Sequence, residues 1–207
     1  MTAGLSSYDW RFDAGRPCLD LVATGVDTSG ACERLDGPDR LAHWLVANQL
    51  LPVDRASDLV DDHWVVRFQE LRMCVDRLMS AELAGHGADG ALDRINVLAA
   101  GAPPVWRAER GKGGVLVRTL SAEPDCRSLL AAVARDAVEL LTDPVARGGL
   151  RRCEGDNCRR LYLDTSRGRR RRWCSSEVCG NRERVARHRR RVAALSGAVP
   201  GAVGTGA

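Results

Sequence analysis

The sequence of 207 residues is poor in several features that would place it in other classes of protein. Aromatic residues make up 4%, Lys112 is the only lysine, and the sequence has no long apolar run. A membrane-spanning helix needs roughly 18–20 such residues. The first residues also lack the basic and apolar segments of an export signal. We therefore expect neither membrane insertion nor secretion, but a cytoplasmic protein whose 8 cysteines stay reduced.

The residues that are present suffice for a folded core. Hydrophobic residues make up 44%, which is ordinary for a globular protein. Apolar residues recur at helical spacing in five segments, at residues 17–23, 38–51, 54–84, 91–100 and 125–141. The glycine-rich residues 111–114 between two apolar stretches predict a β-hairpin. We therefore expect a mainly α fold with a small β-hairpin (α+β).

The composition changes abruptly after Gly148-Gly149. From Arg151 to Arg191 the chain has 15 arginines and 5 acidic residues, a net charge of +10, so the rest carries −6 of the overall +4. A basic end on an acidic body indicates a polyanionic partner at that end. The predicted domains are a helical N-terminal domain at residues 1–148, a small basic domain at 149–195 and a disordered tail at 196–207.

Four cysteines form two closely spaced pairs in the basic domain, Cys153/Cys158 and Cys174/Cys179. Two such pairs on either side of a loop are typical of a tetrahedral four-cysteine zinc site. A segment of about 45 residues with few apolar groups also needs a metal to fold. We therefore predict one structural Zn²⁺. Four thiolates leave no open position for an activated water, so we expect this zinc to be structural and not catalytic. The acidic residues and histidines of the N-terminal part form no recognisable catalytic motif, and we assign no enzyme activity.

The remaining cysteines have no spacing typical of ligands. We expect all of them to fill space in the core, namely Cys18, Cys32, Cys74 and Cys126. Two aromatic residues of the basic domain, Tyr162 and Trp173, are expected to pack beside the metal cluster. Residues 161–163 suit a short strand.

An arginine-rich helix is predicted to start at Ser175, with Cys179 in its first or second turn. Val178, Val185 and Val192 fall on one stripe of it, and arginines cover the remainder. This charge exceeds what a zinc–thiolate group needs, and guanidinium groups form bidentate bonds to phosphate. The candidate nucleic-acid contacts are Arg169, Arg170, Arg171, Arg172, Arg182, Arg184, Arg187, Arg190 and Arg191.

The run Cys174-Ser175-Ser176-Glu177-Val178-Cys179-Gly180-Asn181-Arg182 resembles the bacterial CGNR zinc-finger proteins, a family named after its last four residues. The resemblance covers about residues 150–191 and includes Asp164-x-Ser166-Arg167. It implies a zinc finger whose metal ligands are Cys153, Cys158, Cys174 and Cys179.

The N-terminal part is similar to the ABATE domain that usually precedes this finger. The similarity lies in Phe12-x-x-Gly15-x-x-Cys18-Leu19-Asp20-Leu21-Val22 and in Leu41-x-x-Trp44-Leu45. The resemblance implies a stress-induced transcription regulator, with the helical domain as a sensor or dimerisation domain.

The sequence thus favours a DNA-binding transcription regulator, with a small-molecule ligand of the N-terminal domain and a homodimer as further candidate partners. Two alternatives stay open. One is an RNA-binding protein, in which Tyr162 or Trp173 would stack on bases if exposed. The other is a zinc-stabilised protein-interaction module that binds no nucleic acid.

Overall fold

The structure is a computed structural model that describes residues 11–25, 33–156 and 158–196. Its helices are α1 (Pro17–Val22), α2 (Pro38–Ala47), α3 (Ala56–Leu59), α4 (Asp62–Ala84), α5 (Asp89–Ala99), α6 (Cys126–Thr142), α7 (Pro144–Arg147) and α8 (Asn181–Ser196). Two antiparallel hairpins pair β1 (Trp106–Arg110) with β2 (Leu116–Leu120) and β3 (Leu150–Arg152) with β4 (Leu161–Leu163). The mainly α fold class is confirmed, and the second hairpin adds β3 to the predicted strand at 161–163. Among the described residues, no helix has the length and apolar character to span a membrane.

Capping side chains set the ends of the long helices. Asp61 accepts a hydrogen bond from the backbone N–H of Trp64 at 2.9 Å and starts α4. The single helix predicted over residues 54–84 is therefore wrong, because Asp61 begins a new helix after the short α3. Gly85 ends α4 in the left-handed conformation, with φ of 73°. Asp125 caps α6 in the same way as Asp61, through the N–H of Ser128.

Helix α6 lies at the centre of the core, where it packs against α1, α4 and α5. Its buried face carries Ala131, Ala134 and Ala137, and these small side chains let the neighbouring helices approach closely. The ring centroids of Trp44 and Phe68 lie 5.9 Å apart, and this contact joins α2 to α4.

The predicted core cysteines that the structure describes contact this core. Cys18 is fully buried, and Cys74 and Cys126 are half-buried. Burial raises the pKa of the Cys126 thiol to about 11, so it is held as an unreactive thiol. Cys32 lies outside the described residues, as does the predicted tail apart from Ser196.

The β3–β4 hairpin packs against the start of α1. The N–H of Leu163 donates to the carbonyl of Ala14 at 2.7 Å. Gly15 has a φ of +93°, and a Cβ there would lie 3.1 Å from the Cβ of Leu163. Arg160 forms ion pairs with Asp13 at 2.9 Å and with the buried Asp20 at 3.5 Å. The domain boundary at residues 148–149 stays a prediction, since these contacts join both sides of it.

We predict that Gly15→Ala lowers the free energy of unfolding by about 2 kcal/mol, because an alanine strains the left-handed backbone and crowds Leu163. Gly90→Ala in α5 is the matched control, since its Cβ would point into open space and alanine favours a helix. Urea titrations of both variants measure the difference. Equal stability of the two variants would show that neither the left-handed backbone nor the close contact with Leu163 requires a glycine at position 15.

Candidate metal centre and its basic surroundings

The four cysteines of the basic region come from two turns. Cys153 directly follows β3, and Cys158 lies in the connection to β4. Cys174 precedes a single π-helical turn, Ser176–Gly180, which contributes Cys179. Ser175 fixes that turn, because its hydroxyl accepts from the N–H of Val178 at 3.2 Å.

All four sulfur atoms lie within 4.8 Å of one another, and all four side chains are buried. The Sγ atoms of Cys158 and Cys174 are 3.8 Å apart, and those of Cys174 and Cys179 are 3.7 Å apart. A tetrahedral zinc ion with Zn–S bonds of about 2.3 Å requires S···S distances of about 3.8 Å. A disulfide would need about 2.05 Å, and these cysteines are free. The donor set therefore fits Zn²⁺.

The thiols of the cluster lie close enough to shift one another's pKa. Hydrogen bonds from Cys158 and Cys174 lower the pKa of Cys153, while its neighbours Cys153 and Cys158 raise the pKa of Cys174. Burial, followed by the negative charge of Cys158, raises the pKa of Cys179 to about 11. A thiolate on one cysteine therefore disfavours ionisation of its neighbours, and a divalent ion bound among them would offset that repulsion.

Two aromatic side chains and one carboxylate support the cluster. Tyr162 is fully buried and donates its hydroxyl to the carbonyl of Arg171 at 2.6 Å. Trp173 is half-buried, and its ring lies against Gly180. Buried Asp164 accepts from the N–H groups of Ser166 and Arg171, both at 2.9 Å. Burial opposes ionisation of Asp164, but these hydrogen bonds outweigh it and lower its pKa. The predicted packing of Tyr162 and Trp173 is confirmed.

Two regions of the chain match the profiles of known protein families. Residues 15–144 match the profile of the ABATE family, whose description is "Putative stress-induced transcription regulator". The chain belongs to the ABATE family. Residues 150–192 of this ABATE protein match the CGNR zinc finger, which confirms the predicted order of the two regions. One structural zinc ion on the clustered cysteines is thereby confirmed as the cofactor. A search of curated proteins finds no match to the chain.

The candidate arginines of this ABATE protein lie in two places. Four of them lie in the loop before Cys174, where Arg169, Arg170 and Arg172 are exposed and Arg171 is not. The other five lie in α8 and are all exposed, namely Arg182, Arg184, Arg187, Arg190 and Arg191. The Arg171 guanidinium is partly buried, donates to the carbonyl of Cys174 at 2.6 Å and lies over the Tyr162 ring. Arg171 therefore supports the zinc finger itself.

Few of these arginines are neutralised by the protein's own acids. Within the described residues, Arg172 pairs with Glu154 at 2.6 Å, and Arg190 pairs with Asp156 at 3.6 Å and Glu183 at 3.8 Å. No other member of the candidate set has a carboxylate partner in that part of the chain. The basic surface therefore stays available to an external anion.

Sequence reasoning missed a cleft beside the contact between α1 and the β3–β4 hairpin. The cleft has a volume of about 350 Å³, and its lining includes Phe12, Asp13, Asp20 and Asn48. Burial raises the pKa of the Asp20 carboxyl to about 6. No spacing pattern joins residues so far apart in the sequence, so only the fold brings them together. The ligand expected in the N-terminal domain stays a prediction, for which this cleft is a candidate location.

We predict that Cys174→Ser removes bound zinc, because a hydroxyl is a poor replacement for a thiolate ligand. Cys74→Ser is the matched control, since Cys74 lies in α4 outside the cluster. Elemental analysis should find about one zinc per chain in the control and almost none in Cys174→Ser. Co²⁺ substitution should give the absorption of a tetrahedral thiolate site in the control alone. Retention of full zinc by Cys174→Ser would contradict the four-sulfur site.

We predict that Asp164→Ala destabilises the zinc finger by about 2 kcal/mol, because two N–H groups lose their buried acceptor. Asp156→Ala should cost much less, since Asp156 is 68% exposed and its ion pair lies at the surface. Competition with a zinc chelator measures the difference as faster metal loss. Equal rates in the two variants would exclude this role of Asp164.

Proposed function

We propose that this ABATE protein is a DNA-binding transcription regulator in which the zinc finger holds α8 for contact with phosphates. The observation that carries the proposal is the set of exposed arginines without carboxylate partners in the described residues. A polyanion is the natural counter-charge of such a surface, and phosphate contacts supply much of the affinity of DNA-binding proteins.

The distribution of charge around α8 supports this role. Glu183, the one acidic residue of α8, faces the first cysteine turn and accepts from the N–H of Asp156 at 3.1 Å. Arg190 lies on the same side and pairs with Asp156. Arg184, Arg187 and Arg191 follow one another at i, i+3 and i+7 and therefore form one exposed stripe. We refer to these three residues as the arginine stripe.

The backbone at Arg169 supports a second contact region. Arg169 has a φ of 46°, a conformation that glycine adopts without strain and that other residues rarely adopt. An arginine at such a position is costly, and the strain is consistent with a functional side chain. The neighbouring Arg171 anchors this loop through Asp164 and Cys174.

DNA is favoured over RNA by the burial of the aromatic residues. Tyr162 is 0% exposed, and the Arg172 guanidinium lies 5.3 Å from the Trp173 ring centroid. Neither ring offers the free face on which bases of single-stranded RNA stack. Four thiolates close the coordination sphere of zinc, so the metal has a structural role in this proposal. The proposal assumes a cytoplasmic location, where thiolate ligands stay reduced.

We predict that the triple variant Arg184→Gln, Arg187→Gln and Arg191→Gln binds duplex DNA at least about tenfold more weakly at low salt. Each lost phosphate contact lowers the slope of log K against log salt concentration by about 0.9. Fluorescence anisotropy with a labelled duplex, measured over a range of salt concentrations, should therefore give a slope that is smaller by about 2.7.

The matched control is Arg77→Gln, Arg94→Gln and Arg127→Gln, which removes the same charge from exposed positions of the helical region. It should bind as the unmodified protein does. Absence of DNA binding by the zinc-loaded protein at low salt would overturn the proposal and favour a protein-interaction module. Preferential binding of a structured RNA competitor would favour RNA instead.

A further inference from the structure

The β1–β2 hairpin extends from the helical region with little cover. Residues 107–110 and 112–118 are exposed, including Val115 at 66% and Leu116 at 63%. Within the described part of the chain, β1 pairs only with β2. A two-stranded hairpin is marginally stable alone, and an open strand edge is a template for another strand.

The hydrogen bonds of the hairpin show which backbone groups face the open edge of β1. The carbonyl of Val105 accepts from Ser121, and the N–H of Gly111 donates to Val115, both at 2.8 Å. Since these bonds involve every second residue of an antiparallel strand, the odd-numbered residues from 105 to 111 face β2. The N–H and C=O groups of Trp106, Ala108 and Arg110 therefore point to the open edge.

We propose that this edge pairs with the same edge of a second copy of the chain, antiparallel and about a twofold axis at Ala108. In this register Ala108 faces Ala108 of the second copy, and Trp106 faces Arg110. All three residues have outward backbone groups, so the pairing forms about six main-chain hydrogen bonds and one four-stranded sheet.

The side chains of β1 are self-complementary in this register. Arg107 lies opposite Glu109 of the second copy, and Glu109 lies opposite Arg107. These are non-hydrogen-bonded pairs, in which opposite side chains approach most closely. Arg107 and Glu109 already form an ion pair at 2.5 Å on one face of the strand. The twofold axis therefore brings two arginines and two glutamates together on one face of the sheet, and each arginine lies next to a glutamate of each copy.

The outer edge of β2 does not offer this complementarity. In the fully overlapped register, Arg118 of one copy would face Arg118 of the other, and like charges placed opposite are unfavourable. Arg118 also lies over the Trp106 ring, 3.7 Å from its centroid. The charge pattern thus selects β1 as the paired edge. This inference goes beyond the DNA-binding proposal and does not rest on it.

The test is the oligomeric state of the reduced, zinc-loaded protein in the absence of nucleic acid. Sedimentation velocity over about a hundredfold range of concentration should show conversion of a 22.5 kDa monomer to a species of twice that mass. Glu109→Arg should raise the dissociation constant of the dimer about ten- to thirtyfold, because two attractive pairs become repulsive. Adding Arg107→Glu to that variant should restore the unmodified value.

A backbone variant tests the edge itself. Ala108→Pro removes the central outward N–H while leaving the β1–β2 bonds intact, and should abolish the dimer. Leu116→Pro is the matched control, since it removes an outward N–H from β2 and should leave the dimer unchanged. Circular dichroism and zinc content verify that each variant is folded. A monomer at every concentration, a dimer that tolerates Ala108→Pro, or equal loss with Leu116→Pro would overturn the proposal.

Discussion

The convergence of four thiol groups on one buried point is the constraint on which the C-terminal region depends. The strands β3 and β4 have three residues each, and α8 is exposed along most of its length. Neither element buries enough apolar surface to fold alone. A metal ion bound by Cys153, Cys158, Cys174 and Cys179 connects the hairpin to the turn that starts α8, so the position of the helix follows from the coordination geometry.

The distribution of charge follows from the same arrangement. The carboxylates near the metal are used within the zinc finger: Asp164 organises the loop before Cys174, and Glu183 contacts the first cysteine turn. Most of the arginines of this region lie at exposed positions. Helix α8 therefore has a carboxylate on the side that contacts the first cysteine turn and is strongly basic on the sides that face solvent.

Local patterns in the sequence predicted the elements that local physics determines. The end of the segment predicted to Ala84, the start of the segment predicted from Asp125 and the metal-ligand spacing each depend on a few neighbouring residues. The break at Asp61 was missed because the apolar spacing continues across it, while the capping bond depends on the backbone conformation. Strand β3 was missed because three residues are too few to show an alternating pattern. The contacts of Arg160 with Asp13 and Asp20 were missed for another reason. They join segments far apart in the sequence, which periodicity cannot reveal.

The contact between the start of α1 and β4 has a consequence for the order in which the chain acquires its structure. Arg160 donates to the carbonyl of Arg11 across a separation of 149 residues, and Leu163 bonds to Ala14. During synthesis, segment 11–16 leaves the ribosome long before its partners are translated. Closure of so long a loop is entropically costly and slow. The start of the first helix therefore lacks these contacts until residues 160–163 have emerged from the ribosome.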